Sequence, residues 1–252
     1  VVDVVYVVRP GDVNEELRYS LRSLVNLPHD QVWIVGYRPQ WVRGVQHIPL
    51  RQLGPKWTNS TANLRRACAH PGVSERFAYF NDDFFLLQPL GDDLPMWNRG
   101  PLGDVLARYA KSNSRYADGM RKTAKLLRDL GLPGPYLSYE LHAPMPVQKL
   151  GMLEALAAAE ARPVQGVLHK RTLYGNYWGL GGLSMPDGKL HGLRDRYPAG
   201  ALWTSTTDGL FRRGLVGRQL RAAFPEPSPY ELTLGSPGTA RTRAHSLVRR
   251  GR

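Results

Sequence analysis

The 252-residue chain contains one cysteine, Cys68. That scarcity excludes an internal disulfide framework and a cysteine-built zinc site, and it fits a reducing, cytoplasmic setting. Cys68 lies in LRRACAH, a helical pattern in which it reads as a small core residue. No apolar run approaches the roughly 20 residues that span a bilayer. The opening VVDVVYVV reads as a buried strand rather than a signal peptide, because Asp3 interrupts any signal core. GxGxxG, the Walker phosphate loop, HExxH and GxSxG are also missing, so nucleophilic serine or cysteine catalysis has no specific support.

Acid is in short supply too. There are 21 Asp and Glu against 34 Lys and Arg, a net charge of +13. Part of the excess is local: SPGTARTRAHSLVRRGR carries five arginines and no acid, and residues 235–252 read as a disordered basic tail. The remainder belongs to the body, residues 1–234, read as one α/β domain. A positive field favours polyanions, whether nucleic acid, an anionic membrane surface or phosphorylated substrates. The aromatic residues lie mostly in apolar strands rather than among the basic patches, which argues against a specific nucleic-acid partner. Peripheral contact with an anionic surface through the tail remains compatible with the charge.

The hydrophobic pattern is that of an α/β protein. VVDVVYVV (1–8) is a β-branched run suited to a strand buried on both faces. NEELRYSLRSLVNL follows with Leu17, Leu21, Leu24 and Val25 at helical spacing and Asp12 or Asn14 available as cap. QVWIVG (31–36), VQHIPL (45–50) and FAYF (77–80) read as further strands, with a helix over KWTNSTANLRRACAH between the last two. This alternation predicts a mostly parallel sheet flanked by helices, with ligands outside the carboxyl ends of its strands. Residues 91–135 are helical and rich in Lys and Arg. They read either as a helical pair with a solvated basic face or as an inserted lid.

FAYFNDDFFLLQPL places Asp82 and Asp83 side by side at the end of the most apolar stretch. The pair suits Mg²⁺ or Mn²⁺, which take hard oxygen ligands, and suits equally a solvated turn capped by Asn81 and Asp82. His142, in YELHAPMP beside Glu140, is a candidate general base or an ordinary surface histidine. Arg22 and Arg171 could grip phosphate oxygens or close local salt bridges. Asp208, in TSTTDGLF, is either the cap of a late helix or another carboxylate facing the same edge.

Taken together, DVVYVV, LRYSLRS, VWIVGYRPQW, Asn59–Ser60 and SERFAYFNDD resemble the Stealth family of sugar-phosphate transferases, which includes capsular polysaccharide phosphotransferases and GlcNAc-1-phosphotransferase-like enzymes. LHAPMP, KRTLYGN, STTDGLF and FPEPSPYE resemble the later family regions more faintly. The loop RPGD departs from the usual acidic DGSD. The resemblance implies a Rossmann-like, GT-A-like fold and a nucleotide-sugar donor. It implies transfer of a sugar-1-phosphate, or of the sugar, to a hydroxyl on a glycan or protein acceptor. It places His142, Asp83, Arg171 and Asp208 in catalysis, Arg22, Asn59 and Asn81 in substrate binding, and Asp82 with Asp83 at a metal. The alternative within the same class is a metal-dependent GT-A-type glycosyltransferase. A non-catalytic polyanion- or nucleic-acid-binding protein is the alternative of another class.

Overall fold

A computed structural model describes residues 2–162 and 166–232. The tail expected at 235–252 lies outside the described residues. In chain order the elements are β1 (Val2–Val8), α1 (Glu15–Ser23), β2 (His29–Gly36), β3 (Gln46–Pro49), α2 (Lys56–Cys68), β4 (Arg76–Asn81) and β5 (Phe84–Leu86). There follow β6 (Trp97–Asn98), α3 (Leu102–Arg108), α4 (Arg115–Asp129), β7 (Met145–Gln148), α5 (Lys149–Glu160) and α6 (Lys170–Tyr177). The last are β8 (Leu183–Ser184), β9 (Trp203–Ser205), α7 (Asp208–Arg213) and α8 (Leu215–Ala223). The protein is thus a mixed α/β structure with a mostly parallel central sheet flanked by helices.

The central sheet has the order β3-β2-β1-β4-β7, with β1 to β4 parallel and β7 antiparallel to β4. From β1 the chain winds outward through β2 and β3, then crosses back to pair β4 with the other side of β1. The order therefore reverses between β1 and β4, and in open α/β sheets ligands bind at the carboxyl ends flanking such a reversal. Here those ends are Val8 and Asn81, followed directly by Arg9 and by Asp82–Asp83.

The two-residue period of β1 is what makes both faces apolar. Val5 and Val7 join Trp33, Val35, Phe77 and Tyr79 under α2, α4, α5 and α6. Val4, Tyr6 and Val8 join Ile34, Phe80, Phe84 and the α1 residues Leu17 and Leu21 on the opposite face. Segment 91–135 is part of this packing: Met120, Ala124, Leu126 and Leu127 of α4 lie in the first cluster. The basic side chains of α4 occupy its outer face, where Lys122 and Lys125 pair with Asp118 and Asp129. Asp3 is buried at the other end of β1, where its carboxylate accepts from the amides of Gln31 and Ser74 and from the Trp33 indole. It thereby ties β1 to β2 and to the entry of β4. Among the described residues no helix is long and apolar enough to cross a membrane.

Two small sheets extend the edge. β5 pairs antiparallel with β9, setting Phe84 opposite Ser205, and β6 pairs in parallel with β8. Near the end of the described residues, Glu231 is buried and accepts two bonds from Arg22, at 2.8 and 2.9 Å, and one from Arg18 at 2.9 Å. Arg22 also donates to the carbonyls of Phe224 and Pro225. Removing Arg22 leaves that buried carboxylate to Arg18 and to the amide and hydroxyl of Ser228. Arg22→Ala is expected to lower stability by about 2 kcal/mol, and Arg18→Ala, more exposed, by less. Urea-unfolding midpoints of the two variants check the order.

Candidate functional site

Five segments meet at the carboxyl edge of β1 and β4, and three of them carry acids: Glu16, the adjacent Asp82 and Asp83, and Asp187. Asp82 and Asp83 lie in the tight turn between β4 and β5, so neither can swing away from the strand end. Asn14 caps α1, accepting from the Leu17 amide through Oδ1, while its Nδ2 donates to Asp82 Oδ2 at 2.9 Å. In the first turn of the same helix, Glu16 is buried and accepts from the Thr206 hydroxyl at 2.6 Å. Arg9, half exposed, stands 3.6 Å from both Glu16 and Asp82.

Asp83 has a partner of its own. The Lys189 ammonium lies 2.5 Å from Asp83 Oδ2 and 3.2 Å from Ser205 Oγ, and it also donates to the Thr206 carbonyl. Ser205 Oγ completes the group by donating to the same Asp83 oxygen at 3.1 Å. Lys189 reaches this position because its strand-like segment bridges Ser205 of β9 in parallel.

Two residues earlier in the same segment, Asp187 holds His142. The histidine Nδ1 is 3.1 Å from both Asp187 oxygens, and the His142 amide donates to Asp187 Oδ1 at 3.0 Å. The Lys189 amide donates to that oxygen as well, and the Arg99 guanidinium stands 3.7 Å away. His142 and Asp83 are therefore linked through one tripeptide, Asp187–Gly188–Lys189. Gly188 is required there: a Cβ would come within 2.5 Å of the Trp203 indole nitrogen, and the Gly188 carbonyl accepts from Ser205 N and Thr204 Oγ1.

Burial controls the acids unequally. Desolvation raises the Glu16 carboxyl to about 7, against the Thr206 hydrogen bond and with help from the Asp83 and Asp82 charges. Desolvation and then the neighbouring Asp83 charge raise Asp82 to about 6, opposed by Asn14 and Arg9. Asp187 goes the other way. Burial would raise it, but the bonds from His142 and the charge of Arg99 overcome that and hold it at about 2.

The predicted residues separate into those brought here and those engaged elsewhere. Asp82 and Asp83 lie at the sheet edge itself, and His142 is joined to Asp83 through Asp187 and Lys189. Asn81, the last residue of β4, is adjacent, and its side-chain oxygen is buried without a hydrogen-bond partner. Arg171 is buried behind the site: its Nη1 donates to the carbonyls of Leu141 and Ala143, the two neighbours of His142, at 2.8 and 2.6 Å. Its guanidinium lies over the Tyr79 and Phe84 rings, so its contacts set the histidine loop. Arg22 is engaged by Glu231. Asn59 closes a local turn, bonding both the amide and the carbonyl of Gly54. Asp208 pairs with Arg212 one turn along α7, and the cap of that helix is Thr207.

The acidic pair does not fit the expected Mg²⁺ or Mn²⁺ site. One oxygen of Asp83 is engaged by an ammonium and a hydroxyl, one of Asp82 by Asn14 and Arg9. Among the described residues no group of three or more His, Cys, Asp or Glu side chains is placed to hold a metal ion. Asp187, Lys189, Glu16 and Arg9 were not singled out in the sequence. PDGK looks like an ordinary turn, and only the signal that a turn aspartate could orient a distant loop histidine would have marked it.

No family model and no curated protein matches the chain. Among solved structures it is similar to the galactosyltransferase LgtC in complex with donor and acceptor sugar analogues, at 10% identity, with 69% of each chain covered and a TM-score of 0.41. At that level of similarity the site's own geometry has to carry the functional argument.

The buried Glu16 has a consequence for stability. A carboxyl raised from 4.5 to about 7 on folding stabilises fully below its unfolded value, and that contribution is lost as pH rises through 7. Glu16→Gln, which retains a partner for Thr206, is expected to flatten the fall in stability between pH 5 and pH 8. The variant should gain up to about 3 kcal/mol relative to wild type at the alkaline end. Urea unfolding at the two pH values measures it.

Proposed function

We propose that this protein is a nucleotide-sugar-dependent transferase of the Stealth type, moving a sugar-1-phosphate onto an acceptor hydroxyl of a glycan or protein. The observation that carries the reading is the His142–Asp187 dyad, joined through Lys189 to Asp83 at the point where the sheet order reverses. Sequence resemblance over residues 1–90 supplies the class of substrate, and the dyad supplies a base where the acceptor would stand.

In this reading His142 presents Nε2 to the acceptor hydroxyl, while Asp187 on Nδ1 fixes the tautomer and balances the imidazolium that forms. The acceptor oxygen forms a bond to the β-phosphorus of the donor, and its proton passes to His142 Nε2. The bond from that phosphorus to the bridging oxygen breaks, and the nucleoside monophosphate leaves with the electron pair. Such a transfer needs charge balance and in-line positioning more than covalent participation by the protein. Arg9 at the mouth of the site is the exposed cation that can reach the diphosphate, Lys189 adds its charge from within, and Arg171 keeps the histidine loop in place. In the related reading, glycosyl transfer, the acceptor attacks the sugar carbon and a nucleoside diphosphate leaves.

A panel of nucleotide sugars with glycan acceptors, read by the nucleotide released, decides between the two. Release of a monophosphate is expected, diphosphate release would reassign the reaction to glycosyl transfer, and no turnover across the panel would remove both. His142→Ala should slow the reaction by about 10²–10⁴-fold. Asp187→Asn, which keeps the shape but alters the tautomer, should lower kcat with little change in KM and shift the acid limb of the pH–rate profile.

A further inference from the structure

An acidic pair at a nucleotide-sugar site calls for a positive charge, and the chain brings one of its own. The Lys189 ammonium has three protons and three protein acceptors: Asp83 Oδ2 at 2.5 Å, Ser205 Oγ at 3.2 Å, and the Thr206 carbonyl. The Lys189 side chain is 10% exposed and that of Asp83 18%. The position is fixed from the backbone side as well, since the Lys189 amide donates to Asp187 and its segment bridges Ser205. Asp83 Oδ2, Ser205 Oγ and the Thr206 carbonyl, three oxygens a hard divalent ion could use, thus already surround an amine. A second cation there would face a fixed positive charge a few ångströms away.

We propose that Lys189 is the resident cation of this site, occupying the place at Asp83 where a divalent ion would otherwise bind, and that Asp83 is its positioning partner rather than a metal ligand. Its further role, opposing the charge that develops on the leaving phosphate, rests on the transferase reading; the occupancy at Asp83 does not.

Mn²⁺ titration of the full chain, followed by electron paramagnetic resonance, tests the occupancy directly. Wild type and Asp83→Asn are expected to bind Mn²⁺ alike, because Asp83 is already engaged. A stoichiometric wild-type site that Asp83→Asn removes would overturn the proposal. Lys189→Ala should raise Mn²⁺ affinity at least tenfold, and Lys189→Arg, which retains the charge, should not. Should Lys189→Ala fail to fold, the comparison of wild type with Asp83→Asn still decides. For the charge role, turnover of a nucleotide sugar by wild type should persist within twofold in EDTA and fall at least tenfold in Lys189→Ala. A tenfold loss in EDTA restored by Mn²⁺ would defeat it. If no nucleotide sugar is turned over, the transferase reading fails while the Mn²⁺ titration still judges the occupancy.

Discussion

Two carboxylates carried side by side to the end of a buried strand repel one another where solvent cannot screen them, and something in the fold has to answer that charge. Here the answer comes from different parts of the chain for each acid. Asp82 is met by the cap of α1 and by Arg9 from the end of β1. Asp83 is met by Lys189, more than a hundred residues away in sequence. Most of the site depends on that second pairing, because holding Lys189 also holds Asp187, and holding Asp187 aims His142.

The coupling of these features through one tripeptide gives the site its economy of parts. Gly188 lets the segment press against Trp203, while its carbonyl takes two donors from β9. On one side the segment delivers an ammonium and on the other a carboxylate. Arg171 then fixes the histidine from behind by holding the carbonyls on both sides of it. Glu16 adds a buried acid whose proton is retained close to neutrality, so the local charge is sensitive to pH.

Much of the fold was legible in the residues. The β-branched run of β1, the helical spacing of Leu17 and Leu21 and the apolar FAYF each predicted an element that is present. Their alternation predicted the mostly parallel sheet. Asp82, Asp83 and His142 were legible as candidates by residue type and position, at a strand end and in a proline-bounded loop, each beside an ordinary alternative reading. Arg22 and Asn59 were read by residue type, and type does not reveal a partner: Glu231 lies 209 residues from Arg22, and Asn59 turned to its own loop. Nothing near NDD in the chain announces the ammonium that meets Asp83.

What the sequence by itself determined is the alternation of strands and helices and the delivery of two acids to a carboxyl edge. Those follow from short-range spacing, which local periodicity encodes. Which charges meet was decided by tertiary structure alone. Lys189 with Asp83, Asp187 with His142 and Arg22 with Glu231 are contacts across long stretches of chain, the first two set by how the 187–189 segment packs along β9 and the third by how residues 224–231 fold back on α1. Electrostatic pairing depends on distance in space, and separation along the chain carries almost no record of it.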